Sequence, residues 1–260
     1  MKFIGIDLGW QSGPSGLCCL SLQAGEQSGQ LRLEQLDRLS SLTETLAWVD
    51  AIAPAETAAM VAVDAPTLIP NATGMRLPDR LAHRHFGKYH AGAYPANQAR
   101  PFAQRLVQFG HELERRGFSH APTVAPQRPG RYQIEVFPHP AMVQLFSLPQ
   151  ILKYKKGRVA ERRRGLLQLR AYLLTDLPRL SPPLLLADLP EIPHRGVELK
   201  AVEDRLDSLI CAYVAAHWWY WGHLRNQVLG DRSSGYIVVP CPPTAPVQPL
   251  AQVAKEGLSE

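Results

Sequence analysis

The stretch Met1–Gly16, MKFIGIDLGWQSGPSG, holds an apolar run that ends on an acid. Phe3, Ile4 and Ile6 read as a buried strand starting at Lys2; Asp7 closes it and Gly9 breaks the run. A carboxylate in that position needs compensation, because burying an unpaired charge costs about several kcal/mol unless hydrogen bonds or a metal ion meet it. Two readings follow from these residues alone: Asp7 caps the next turn through its own side chain, or it serves a functional site.

Working outward, GLCCLSL (Gly16–Leu22) and QLRLEQLDRL (Gln30–Leu39) read as two further strands, joined through the Gly/Ser/Gln-rich turn QAGEQSGQ, so the chain opens with a three-strand antiparallel meander. Leu42, Leu46, Val49 and Ile52 then recur at helical spacing, and Ser41 with Glu44 offers a capping box. MVAVDAP (Met60–Pro66) is a second apolar run closed by an acid, Asp64. From Thr67 to Asn97 no clean period appears, so this segment reads as a long loop, functional or mobile, rich in Arg and His. Gln98–Arg116 looks helical through Phe102, Leu106, Phe109 and Leu113, and GRYQIEVFPHP (Gly130–Pro140) supplies a strand carrying Glu135. A short helix over AMVQLFSLP, a long basic segment, a helix from Ala201 to about Trp219 and a last strand, GYIVVP, complete the order.

That order predicts an α/β fold of the ribonuclease H-like kind, a mixed sheet in which an antiparallel three-strand meander is extended by helix-connected parallel strands, with helices on both faces. The expected domain spans residues 1–240, with insertions near 67–97 and 150–198, and residues 241–260 form a Pro-rich, loosely ordered tail. In such a sheet the first and fourth strands are neighbours. Asp7 then faces Asp64 across a shared site, which selects the second reading of the opening stretch.

KAVEDRLDSLICAYVAAH (Lys200–His217) supplies further acids. Asp204 and Asp207 lie three residues apart, on one side of a helix and about 60° from each other. Leu206, Ile210, Tyr213, Val214 and His217 form its apolar stripe, and Asp207 borders it. Glu203 and Asp204 also have a simpler role as acids near a helix N-terminus. Several carboxylates within a few ångströms cannot all ionise without a cation, and hard oxygen ligands select Mg²⁺ or Mn²⁺. Asp7, Asp64 and Asp207 are the candidate ligands, Asp204 and Glu135 the additional candidate catalytic acids; two ions about 4 Å apart would suit phosphodiester hydrolysis. For Glu135 the alternative is a strand-end acid paired with an arginine.

FIGIDLGW, VAVDAP, IEVFPHPA, KYKKGR, EDRLDSLICAYVAAH and GYIVVP, in this order and over nearly the whole chain to Pro240, resemble the motifs of the domain of unknown function 429 family. The resemblance implies a ribonuclease H-like fold and membership of a group regarded as predicted nucleases. It carries Asp7, Asp64 and the late-helix acids over as a site, with Glu135 beside them, and implies no particular substrate.

Charge concentrates in ILKYKKGRVAERRRGLLQLR (Ile151–Arg170), where Lys153, Lys155, Lys156, Arg158, Arg162, Arg163, Arg164 and Arg170 face the single acid Glu161. Val159, Leu166, Leu169 and Leu173 would dock one side of a helix and leave the cations outward for a phosphate backbone, the alternative being a solvated helix face. His139 in FPHP either orients a leaving group or water, or makes a structural hydrogen bond. Trp218, Trp219 and Trp221 read as core packing or a subunit contact ahead of base stacking.

With 260 residues, 45% of them hydrophobic and 20% charged, the chain has the composition of a globular protein, and its formal charge of +5 favours a polyanionic partner such as nucleic acid. Cys18, Cys19, Cys211 and Cys241 show no zinc-ligand spacing and read as reduced thiols. No stretch approaches the ~20 apolar residues of a membrane span, and Met1 leads straight into the first strand without room for a signal peptide, so the expected location is the cytoplasm. The oligomeric state stays open, a homodimer included. A metal-dependent nuclease is the leading expectation; a non-catalytic nucleic-acid-binding or scaffold protein with the same fold is the alternative. The sugar-kinase and actin-like ATPases share the fold but require a second phosphate loop and a second domain.

Overall fold

The computed structural model describes residues 1–23 and 29–241; beyond Cys241, the tail expected to be loosely ordered lies outside the described residues. β1 (Lys2–Asp7), β2 (Ser15–Leu22) and β3 (Leu31–Leu39) form the antiparallel meander, with Asp7 opposite Gly16. α1 (Leu42–Ile52) starts at the Ser41/Glu44 capping box and leads to β4 (Ala59–Val63), which lies parallel to β1 with Ile6 opposite Val63. Next come α2 (Leu77–Phe86), α3 (Ala103–Arg115), the two-residue β5 (Ser119–His120) and β6 (Arg131–Glu135), parallel to β4 with Val63 opposite Glu135. α4 (Pro138–Leu145), α5 (Val159–Thr175), β7 (Leu184–Leu185) and α6 (Gly196–Trp221) follow, and β8 (Asn226–Asp231) and β9 (Gly235–Pro240) form a separate hairpin. The main sheet runs β5-β6-β4-β1-β2-β3-β7, so the meander is extended on the β1 side by parallel strands. This is the ribonuclease H-like mixed sheet.

The pleat sends successive side chains to opposite faces, and each face has its own cover. Ile4, Ile6, Val61 and Val63 pack with Val49 of α1 and Leu106, Phe109 and Leu113 of α3. Phe3, Met60, Ala62 and Ile134 pack on the opposite side with Leu206, Ile210 and Tyr213 of α6. Because both faces are covered, β4 is buried along its whole length, as parallel strands usually are.

Four elements depart from expectation. The segment 67–97 contains α2, which packs Ala82 and Phe86 against Leu229, Ile237 and Val239 of the β8–β9 hairpin. Its apolar residues are too few to show a period among the Arg and His residues, and β8, carrying Asn, Gly and Asp, has weak strand character. The helix expected from Gln98 begins only at Ala103, after Pro101, while α6 extends beyond both expected ends. The Trp cluster is core: Trp218, Trp219 and Trp221 are buried and their indole N–H groups donate to the carbonyls of Ala121, Arg128 and Ser181. All four cysteines are free, and among the described residues no helix is long and apolar enough to cross a membrane.

A candidate active site at the strand ends

Asp7 ends β1 and Asp64 follows β4, its N–H bonded to the Ile6 carbonyl at 2.8 Å, so the two acids stand side by side at the carboxyl ends of adjacent parallel strands. Parity decides which way they face. Asp7 is in step with Phe3 and Gly5, and Asp64 with Met60 and Ala62, so both turn toward α6. α6 can reach them because glycines open the sheet surface: a Cβ on Gly5 would lie 2.0 Å from the Ser208 carbonyl oxygen, and one on Gly16 would lie 1.9 Å from that of Asp204. The helix backbone therefore rests directly on β1 and β2, and Asp204 and Asp207 arrive beside the strand-end acids. A cavity of about 680 Å³ opens here, with Asp7, Asp64, Asp204, Lys155 and Lys200 in its wall.

Asp207 has no solvent exposure; the Tyr154 hydroxyl donates to its Oδ1 at 2.7 Å, and the Lys155 ammonium lies 2.7 Å from its Oδ2. Asp204, also buried, is held by Arg38 Nε at 2.8 Å and by Lys200 Nζ at 2.7 Å, and Lys200 also reaches Glu203 at 2.6 Å. Asp7 and Asp64 have no such partners among the described residues. Burial pushes the Asp7 carboxyl well above the usual range; Lys155 opposes this, and the charges of Asp207 and Asp64 reinforce it. Burial likewise moves Asp64 up to about 6, again against the pull of Lys155. Two open carboxylates that repel one another are a donor set suited to a hard divalent cation. As it stands, no group of three or more His, Cys, Asp and Glu side chains among the described residues is arranged to hold a metal ion, and Lys155 occupies Asp207.

Glu135 lines the same cavity, together with Arg76 and Asp79, but from the other face of the sheet. Ile134 and Val136 belong to the α6 side, so the intervening Glu135 turns the other way, where Arg76 clamps it with both terminal nitrogens at 2.7 and 2.8 Å. Arg76 is buried and also binds Asp79 at 2.8 Å. Burial and the two acids act on one guanidinium, and the acids hold it charged. The arginine-paired role weighed for Glu135 is thus the geometry observed. Arg76 and Asp79 carried no sequence signal, sitting in the segment without periodicity. His139 lies in the cavity wall, its ring 5.7 Å from that of Tyr154; burial, with Lys155 nearby, lowers its pKa to about 4 and keeps it neutral.

The basic segment divides. Leu166, Leu169 and Leu173 dock as expected, whereas Val159 is 42% exposed and does not. Lys155 turns into the acid site, and Arg162 bonds the Tyr154 carbonyl at 3.2 Å and approaches Glu203 at 3.5 Å. Arg163 approaches the His194 ring at 3.5 Å, and Arg170 is tied to Asp188 at 3.0 Å. Lys153, Lys156, Arg158 and Arg164 remain exposed.

Comparison with known proteins adds the following. No curated protein matches the chain. Among solved structures, the RuvC structure from Thermus thermophilus is similar at 14% identity and a TM-score of 0.36, covering 83% of this chain and 98% of that one. A family model described as Protein of unknown function (DUF429) matches residues 5–232, and with most of its length so matched the chain belongs to that family.

Proposed function

We propose that the chain is a metal-dependent nuclease that hydrolyses phosphodiester bonds at the strand-end acids. The observation that carries this reading is the pair of unpartnered carboxylates, Asp7 and Asp64, opening into one cavity beside Asp207 on α6. Asp7 and Asp64 would hold Mg²⁺ or Mn²⁺, and Asp207 would join them on release from Lys155. A divalent ion held there would supply an activated water and neutralise charge developing on the phosphate. Lys155 and Lys200, both in the cavity wall, carry positive charge to the non-bridging oxygens of a phosphodiester. Tyr154 orients Asp207 by its hydrogen bond, and the neutral His139 adds no second cation beside Lys155. The exposed Lys153, Lys156, Arg158 and Arg164 supply phosphate contacts beyond the cavity.

One observation favours the second reading, a nucleic-acid-binding protein without catalysis: Asp207 is already engaged inside the protein by the Lys155 ammonium and the Tyr154 hydroxyl. Incubating the purified protein with Mn²⁺ and single- and double-stranded DNA and RNA separates the two. Cleavage that disappears in Asp7→Asn and Asp64→Asn supports the nuclease; binding without cleavage under every condition supports the second reading.

A further inference from the structure

The same cavity has an aromatic wall that the acids do not use. Trp10, three residues after Asp7, donates its indole N–H to the carbonyl oxygen of Asp64 itself at 3.0 Å. Its ring meets Phe102 at 4.8 Å and Tyr94 at 6.4 Å, and Tyr94 meets Phe102 at 6.2 Å, all three edge-on. Edge-to-face packing fixes the three rings against one another. Arg105 bonds the Gly9 carbonyl at 3.3 Å, and the Ser15 hydroxyl accepts the Gly9 N–H at 3.1 Å, so the loop bearing Trp10 is tied at its base. Trp10 and Tyr94 both line the cavity, and Tyr94 remains 58% exposed with the Arg100 guanidinium 5.3 Å from its ring centre. A large aromatic left in water, braced and backed by a cation beside a cluster of acids, is unexplained by core packing.

From this wall we infer a stacking subsite for one unpaired nucleobase, which makes the substrate a single-stranded or locally unpaired nucleic acid. The inference rests on the nucleic-acid reading above and names its substrate class. Scale supports it: about 680 Å³ is the size of a pocket for one compact ligand, so a nucleotide swung out of a helix fits where stacked base pairs do not. Chemistry supports it too. Base faces stack on Tyr and Trp with little regard to sequence, while the phosphate attached to the stacked base meets Lys155 and Lys200. Because Trp10 is hydrogen-bonded to the backbone of Asp64, a base on this wall holds its own phosphodiester in register with the acids.

Fluorescence anisotropy without divalent metal tests this with three probes: a short oligothymidylate, the same backbone lacking its bases, and a blunt DNA duplex. The wild type should bind the oligothymidylate more tightly than the base-free backbone, and Tyr94→Ala should weaken oligothymidylate binding about 5- to 100-fold while leaving the other two probes unchanged. Tyr94→Phe and Trp10→Phe, which keep a stacking face, should retain most of the wild-type affinity. Equal binding of the two single strands, no binding of either, or equal weakening of all three probes in Tyr94→Ala overturns the inference. Cleavage of nucleic acid together with base-independent binding removes the subsite alone, whereas base-dependent binding without Mn²⁺-supported cleavage removes the nuclease and leaves the subsite standing.

Discussion

Removing the Lys155 ammonium would leave the fully buried Asp207 with the Tyr154 hydroxyl as its remaining partner among the described residues. Breaking a buried ion pair from one side destabilises by about 3–5 kcal/mol, because the surviving charge keeps its desolvation penalty. Lys155→Met should therefore lower stability by an amount of that order in denaturant titrations, and Mn²⁺ should recover part of the loss by taking the place of the ammonium; a variant as stable as wild type would show that the pair contributes nothing. Protonation gives a second expectation. The folded-state pKa of Asp64 is raised from its ordinary value to about 6, so the folded state holds the proton more tightly than the unfolded one. Stability is then greatest below about pH 4 for this group and falls as pH rises through about 6. Asp64→Asn should flatten that fall when melting temperature is followed from pH 4 to 7, and parallel profiles would show that Asp64 is not the titrating group. Asp7 and Asp64 were legible in the sequence because an acid closing an apolar run is visible without coordinates. The pleat parity that separates them from Glu135 is also written in the chain, but its consequence depends on which face α6 covers. Lys155 was not legible as an inward residue, since a charge run reads as uniformly outward.

Elements act on the site chiefly by how closely they approach. α6 delivers Asp204 and Asp207 only because Gly5 and Gly16 let its backbone rest on the sheet. Gly16→Ala would drive a methyl group into the Asp204 carbonyl, and such overpacking costs about 1–3 kcal/mol. The variant should unfold at lower denaturant and lose metal-dependent activity by more than its loss of folded protein; an unchanged unfolding midpoint would mean the helix shifts freely. α5 makes the opposite demand, docking through Leu166, Leu169 and Leu173 and leaving Arg158 and Arg164 exposed beside Lys156. Changing these three cations to alanine should weaken nucleic-acid binding evenly across sequences and reduce the salt slope by about 0.7 per lost single-strand contact. Arg162→Ala, which removes bonds to the Tyr154 carbonyl and Glu203, should instead lower stability, and a matching drop in salt slope there would reassign it to phosphate. The meander, β4 and β6 were readable as short runs of strand character bounded by turn residues, and α1 because its period and its capping box agreed. α2 and β8 were not, since in the cluster they share with the legible β9 they bury only Ala82, Phe86 and Leu229, too few to show a period.

For the molecule as a whole, the site is a store of unfavourable charge at the edge of the core. Two open acids with raised pKa values, and a third kept by a lysine, weaken the metal-free fold relative to one with a neutral site. A ligand that binds only the folded state repays this by mass action, adding about 2.7 kcal/mol at a free concentration one hundred times its dissociation constant. At roughly 2–4 °C per kcal/mol for a chain of this size, saturating Mn²⁺ should raise the melting temperature by about 5–10 °C. Asp7→Asn removes part of the repulsion and one charged ligand together, so it should melt at or above the wild-type temperature without metal and gain less from Mn²⁺. Ca²⁺, which takes more ligands at longer distances, serves as the comparison ion. Equal Mn²⁺ shifts in wild type and Asp7→Asn would take Asp7 out of the ligand set. Asp64 with Asp207 would then have to account for any metal dependence that remained.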